Sequence, residues 1–121
     1  MVLVDTSVWV SHFRDGNSHL EVLLQHGDVA CHPFIIGEIA CGQIKNRSEI
    51  LSLLQSLPVA EPVDHDETLK FIESNRLMGI GLGFIDVHLM AAALLTEAPL
   101  WTLDKRLEQA SSKLKINFTP H

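Results

Sequence analysis

This sequence predicts an α/β fold built on a parallel sheet. Short apolar runs of strand length, M-V-L-V, V-A-C and P-L-W-T-L, alternate with longer segments whose apolar residues recur at helical spacing. The loops between them are short, and strands interleaved with helices imply parallel pairing with both faces of the sheet covered.

Met1–Val4 reads as a buried strand ending in Asp5. Thr6 or Ser7 can cap the next segment, a helix with Val8, Trp9, Val10 and Phe13 that stops at Asp15-Gly16-Asn17. A second helix over Ser18–Gln25 carries Leu20, Leu23 and Leu24 and closes at His26-Gly27. Val29–Cys31 is a strand, and Pro33 opens a helix through Ile36, Ile39 and Ala40. Ser48 is expected to cap a further helix with Ile50, Leu51, Leu53, Leu54 and Leu57. Glu61–Val63 is at most a short edge strand, because Pro62 cannot donate to a ladder. Asp64 or Asp66 begins a helix with Leu69, Ile72 and Leu77, and Gly79, Gly81 and Gly83 form a flexible approach to the most apolar helix, Phe84–Thr96. Pro99–Leu103 is a strand, Lys105–Ser112 a helix and Ile116–Phe118 a last strand. There are no repeats, linkers or low-complexity tracts.

Residues 1–121 are expected to form one domain, long enough to bury roughly two-thirds of its unfolded surface without staples. A composition of 46% hydrophobic and 20% charged residues is ordinary globular material and excludes disorder. The N-terminus lacks a basic region followed by a long apolar stretch, and no run is long enough to span a membrane, so a soluble, cytoplasmic protein is expected. Cys31 and Cys41 form no C-x-x-C pair and read as small core residues. The histidines show no zinc spacing; His65-Asp66-Glu67 imitates H-x-E, but no P-C-x-x-C follows. A net charge of −6 argues against a broad basic surface for nucleic acid, although bound divalent cations would offset it locally.

Four acids stand out against this background. Asp5, Glu38, Asp86 and Asp104 lie inside or beside strongly apolar segments, where an ionised carboxylate is rarely found without a positive partner. Asp5 and Asp104 follow strands and therefore face the crevice beyond the carboxyl ends of the sheet, where ligands bind in open α/β folds. Asp86 falls in the first turn of its helix, where the dipole favours an anion. Bases are scarce nearby, so the acids suggest a shared hard cation such as Mg²⁺ and, through it, hydrolysis of a phosphodiester.

The acidic motifs resemble, in order and over essentially the whole chain, those of the PIN domain, and more narrowly the VapC-type ribonucleases of toxin–antitoxin pairs. The matching stretches are V-D-T-S-V-W-V at Asp5, I-G-E-I-A-C-G at Glu38, G-F-I-D-V-H-L-M-A-A-A-L at Asp86 and W-T-L-D-K-R-L at Asp104. The resemblance implies a three-layer α/β/α fold with a central, mostly parallel sheet. It also implies a Mg²⁺- or Mn²⁺-dependent endoribonuclease whose acidic cluster is Asp5, Glu38, Asp86 and Asp104. A homodimer and a VapB-type antitoxin that wraps the toxin and blocks its site are implied as well. Val87 stands where the family often has a smaller residue, a departure that touches packing only.

Thr102, Ser7 and Thr6 flank the first and last acids and are candidates to orient carboxylates or hold water; caps or strand fillers are the plainer alternatives. Lys105 and Arg106 are candidates to reach a substrate phosphate, and Arg14, Lys45 and Arg47 to line the groove mouth. His88 points away from Asp86 around the helix and reads as packing, and Trp9 and Trp101 read as core or dimer contacts. Two phosphoryl-transfer folds fail on the first acid: a dehalogenase-like phosphatase needs an acid where Ser7 stands, and a receiver domain needs adjacent acids. The alternative from another class is a non-catalytic PIN-like RNA-binding or regulatory module, which the retention of all four acids opposes.

Overall fold

The computed structural model describes residues 1–120. Three short strands, β1 (Val2–Val4), β2 (Val29–Ala30) and β3 (Leu100–Trp101), form a parallel sheet in the order β2-β1-β3. The registers are Val2 with Val29 and Leu3 with Ala30 on one side, and Leu3 with Leu100 and Val4 with Trp101 on the other. Parallel bridges between Cys31 and Val59 and between Leu100 and Asn117 extend the sheet at both edges.

Every residue of the three strands is buried. Successive strand side chains point to opposite faces, so complete burial means that both faces are covered, which gives the expected three-layer α/β/α arrangement. The covering helices are α1 (Thr6–Asp15), α2 (Ser18–Gln25), α3 (Pro33–Ala40), α4 (Arg47–Ser56), α5 (His65–Asn75), α6 (Phe84–Thr96) and α7 (Lys105–Lys113). Helix α3 packs on α1 and α4, while α6 packs on α5 and β3. An unbroken run in α6, Val87 to Ala93, is buried, which explains why its sequence is apolar all round.

Several local expectations change. Asp5, not Thr6 or Ser7, is the N-cap of α1, because the chain stays extended through Asp5 and turns helical at Thr6. Helix α4 begins at Arg47 after a left-handed Asn46, so Ser48 lies inside it rather than capping it. The edge pairing falls at Val59 rather than Glu61–Val63. Cys31 donates its N–H to the Pro58 carbonyl at 2.8 Å, and Ala60 donates to the Cys31 carbonyl at 2.8 Å. This bonding ends before Pro62, as a missing N–H requires. Cys31 is buried, and burial pushes its thiol up to about 11. Cys41 is exposed rather than core, since α3 ends at Ala40 and leaves it at the C-cap. Trp9 and Trp101 are both in the core, where Trp9 stacks on Phe13 and Trp101 meets Phe118 edge-on.

Candidate active site

Strand β1 delivers Asp5 to the carboxyl end of the sheet, and β3 delivers Thr102 beside it. The Asp5 N–H donates to the Trp101 carbonyl at 2.9 Å, so the β1–β3 pairing continues one step past Val4 and Trp101 and sets Asp5 against Thr102. Asp5 is buried, with 7% of its surface exposed. Its Oδ2 accepts from Ser7 Oγ at 2.7 Å and Thr102 Oγ1 at 2.8 Å, with the Ser7 N–H at 3.4 Å. Ser7 Oγ in turn accepts from the Leu103 N–H at 3.0 Å, and Thr102 Oγ1 accepts from the Asp104 N–H at 3.1 Å. The two hydroxyls therefore tie the first acid to the loop that carries the last.

Asp104 is the N-cap of α7, and its Oδ1 accepts from the N–H groups of Arg106 at 2.9 Å and Leu107 at 3.1 Å. Asp86 occupies the first turn of α6, where its Oδ2 accepts from the Gly83 N–H at 3.0 Å. Glu38, on α3, is exposed and accepts from Thr6 Oγ1 at 2.7 Å through Oε1. Each of the four acids thus commits one oxygen to a donor of the chain. Among the described residues no donor reaches the other oxygen of any of them, and the sole salt bridge is the surface pair Arg14–Asp15.

Burial raises the Asp86 carboxyl above its ordinary range. The Gly83 N–H opposes that rise, and the negative charges of Asp5 and Asp104 add to it. Asp5, Asp86 and Asp104 accordingly share one electrostatic neighbourhood. Glu38 is tied by its hydrogen bond to Thr6, the neighbour of Asp5, and opens onto a groove of about 700 Å³ lined by Phe13, Arg14, Ile39 and Lys45. Among the described residues no three acidic, histidine or cysteine side chains lie close enough to enclose an ion unaided. A small hard cation held by these acids would therefore keep several waters as ligands. Mg²⁺ is usually held in that way, by one or two carboxylates and retained water. Free carboxylate oxygens that repel one another and have no cationic side chain to neutralise them fit such an ion.

Comparison with known proteins agrees with this architecture. The family described as PIN domain matches residues 2–113. The chain belongs to the PIN domain family. Ribonuclease VapC32 of Mycobacterium tuberculosis, in strains CDC 1551 / Oshkosh and ATCC 25618 / H37Rv, is 45% identical over 114 residues, which cover 93% of this chain and 92% of that protein. The crystal structure of PAE2754 from Pyrobaculum aerophilum superposes with a TM-score of 0.69 at 21% identity, covering 97% of this chain and 87% of that one. This second likeness is one of fold alone.

Other candidates from the sequence fall outside the acidic cluster of this PIN fold. His88 is buried between Phe34 and Phe84, both edge-on at 4.8 and 4.6 Å, with Thr68 Oγ1 at 3.3 Å from Nδ1, so it packs rather than reacts. Arg14 pairs with Asp15 at 2.9 Å, and Arg47 donates to the Ala40 carbonyl at 2.6 Å, which fixes the start of α4. Lys105 and Arg106 are exposed in the first turn of α7, directly after Asp104. Gly81, which the sequence presents only as part of a flexible approach to α6, lies directly against the Arg106 side chain.

Proposed function

We propose that this chain is a metal-dependent endoribonuclease, the toxin of a toxin–antitoxin pair, with Asp5, Asp86, Asp104 and Glu38 holding Mg²⁺ or Mn²⁺. The observation that carries this reading is the shared pattern of the four acids, each with one oxygen bound by the chain and one left for a cation. The 45% identity to Ribonuclease VapC32 supports ribonuclease activity, with RNA as the substrate and a VapB-type antitoxin as partner. We extend the reading to a homodimer. Among the described residues no helix is long and apolar enough to cross a membrane.

Held by Asp5, Asp86, Asp104 and Glu38, a divalent ion would supply Lewis acidity and would lower the pKa of water at the site. The chain's own part is placement. Ser7 and Thr102 hold the Asp5 carboxylate in one rotamer, the Gly83 N–H holds Asp86, and the first turn of α7 holds Asp104. Thr6 anchors Glu38 at the edge of the groove. No serine, cysteine or histidine at the cluster is built as a nucleophile: both hydroxyls of Ser7 and Thr102 donate to Asp5 rather than to a base. With water as the attacking group and the substrate's 2′-hydroxyl uninvolved, the cut ends carry 5′-phosphate and 3′-hydroxyl groups.

The test is to induce the chain in cells beside its Asp5→Asn variant and sequence RNA 5′ ends. New 5′-phosphorylated ends at defined positions, absent with Asp5→Asn and absent in chelator for the purified protein, are expected. Products ending in 2′,3′-cyclic phosphate would overturn the mechanism, and undiminished cutting by Asp5→Asn would overturn the site.

A further inference from the structure

Among the described residues Arg106 forms no salt bridge, although its backbone N–H donates to Asp104 Oδ1 at 2.9 Å. Its side chain is laid against Gly81, in the loop that leads into α6. A methyl group added at Gly81 would stand 2.7 Å from Arg106 Nη1 and 2.8 Å from Cδ. Carbon and nitrogen cannot approach that closely, so a Cβ at 81 would push the flexible, exposed end of Arg106 to a new position; Gly81 sets where the guanidinium rests. Gly79, two positions earlier, is a close control: it too has positive φ, +71° against +87°, yet nothing lies within 4 Å of a Cβ added there. The glycine at 81 therefore has a contact that backbone conformation alone does not account for.

We propose that Gly81 is a positioning residue, a notch that seats the Arg106 guanidinium beside the acidic cluster so that it contacts a phosphate of the bound RNA strand. The inference rests on the ribonuclease reading above and deepens it. Arginine suits the task, since its planar fork pairs with phosphate oxygens through two parallel N–H bonds. A cation is also needed there, because an acidic cluster on a chain of net charge −6 otherwise repels the strand it must cut. Seated against Gly81, two residues before the Gly83 N–H that holds Asp86, the guanidinium forms no ion pair with an acid among the described residues, and the free carboxylate oxygens remain available.

The experiment measures binding of a fluorescein-labelled oligouridylate by anisotropy across a salt series. It uses the full chain in the uncleaving Asp5→Asn background. Each phosphate contact contributes about 0.7 to the slope of log affinity against log salt for a single strand. Arg106→Ala, an exposed change, is expected to weaken binding several-fold and lower the slope by about that amount. Gly81→Ala is expected to do the same, and the double variant to be no worse than either alone. Arg106→Lys should restore the slope while binding less tightly than arginine. Gly79→Ala, which carries comparable backbone strain, should leave slope and affinity unchanged even where its melting temperature falls with that of Gly81→Ala. An unchanged slope in Gly81→Ala, or additive losses in the double variant, would overturn the proposal. Failure of the parent protein to bind the oligonucleotide at all would overturn the phosphate contact, while the ribonuclease reading stands or falls separately on the sequencing of RNA 5′ ends.

Discussion

Ser7 and Thr102 stand 95 residues apart in the chain and donate to the same oxygen of Asp5. Because both hydroxyl protons are used on Oδ2, the 3.2 Å approach between the two hydroxyls is a consequence of their common acceptor. The arrangement leaves Asp5 Oδ1 turned away from the chain's donors, and it couples the end of β1 to the loop after β3.

Ser7→Ala and Thr102→Val should each loosen that carboxylate. Hydrogen bonds to charged groups contribute about 1.5–3 kcal/mol, and loss of a donor that orients a metal ligand weakens metal affinity or activity by about 10–100-fold. Calorimetric titration with Mn²⁺, together with cleavage rates, checks this. Variants that bind the ion as tightly as the parent would refute the orienting role.

Asp86→Asn should raise the melting temperature at neutral pH in chelator. The folded state holds the Asp86 proton more tightly than the unfolded chain does, so keeping the carboxylate charged opposes folding. That penalty is complete above the folded value, falls as pH drops through it, and is gone below the unfolded value near about 3.9. The variant's advantage should follow the same course, since Asn still accepts from the Gly83 N–H. A melting-temperature profile from pH 7 to pH 3.5 measures it; an advantage that grows on acidification has the wrong sign.

Mn²⁺ or Mg²⁺ should stabilise the native chain, and chelator should reverse the effect. An ion that binds only the folded state adds about 2.7 kcal/mol at a hundred times its dissociation constant. Neither Asp5→Asn nor Asp86→Asn should respond to the same degree in a thermal melt. Equal stabilisation of all three proteins would place the ion elsewhere.

His32 should make the fold acid-sensitive in a separate window. Its ring is buried, Nδ1 accepts from the Phe34 N–H at 3.0 Å as the cap of α3, and Nε2 has no partner among the described residues. Burial, with the charge of His88 adding, lowers it to about 4 from an ordinary 6.5. The unfolded chain therefore takes up a proton first, and stability present above about pH 6.5 is lost as pH falls toward 4. His32→Asn keeps a capping oxygen and removes the titration, so its stability should vary less across that range. A melt series at half-unit pH steps compares the two slopes.

Helices α2 and α6 begin and end where the sequence predicts, because their apolar spacing and their turn residues lie within the segment itself. Pro33 opened α3 and Asp64 capped α5 for the same local reason. The misses are tertiary. Cys41 looked like a core residue until the end of α3 turned it to solvent. Val59, not Glu61–Val63, met Cys31 because the sheet edge accepts whichever residue the α4–α5 connection brings alongside it. Arg106 was legible as a nearby cation, but its seat on Gly81 depends on how α7 docks against the loop before α6.

The sequence by itself determined the parallel α/β order and the placing of four acids at strand ends and in helices, since both follow from apolar periodicity and residue type. Only the tertiary structure decided which oxygen of each acid is bound and which is free. That choice depends on donors from distant segments: Thr102 reaches Asp5 only because the β1–β3 register continues past Val4 and Trp101, and Thr6 reaches Glu38 only because α1 packs on α3. Hydrogen bonds act over about 3 Å, so they are fixed by packing that no stretch of sequence contains.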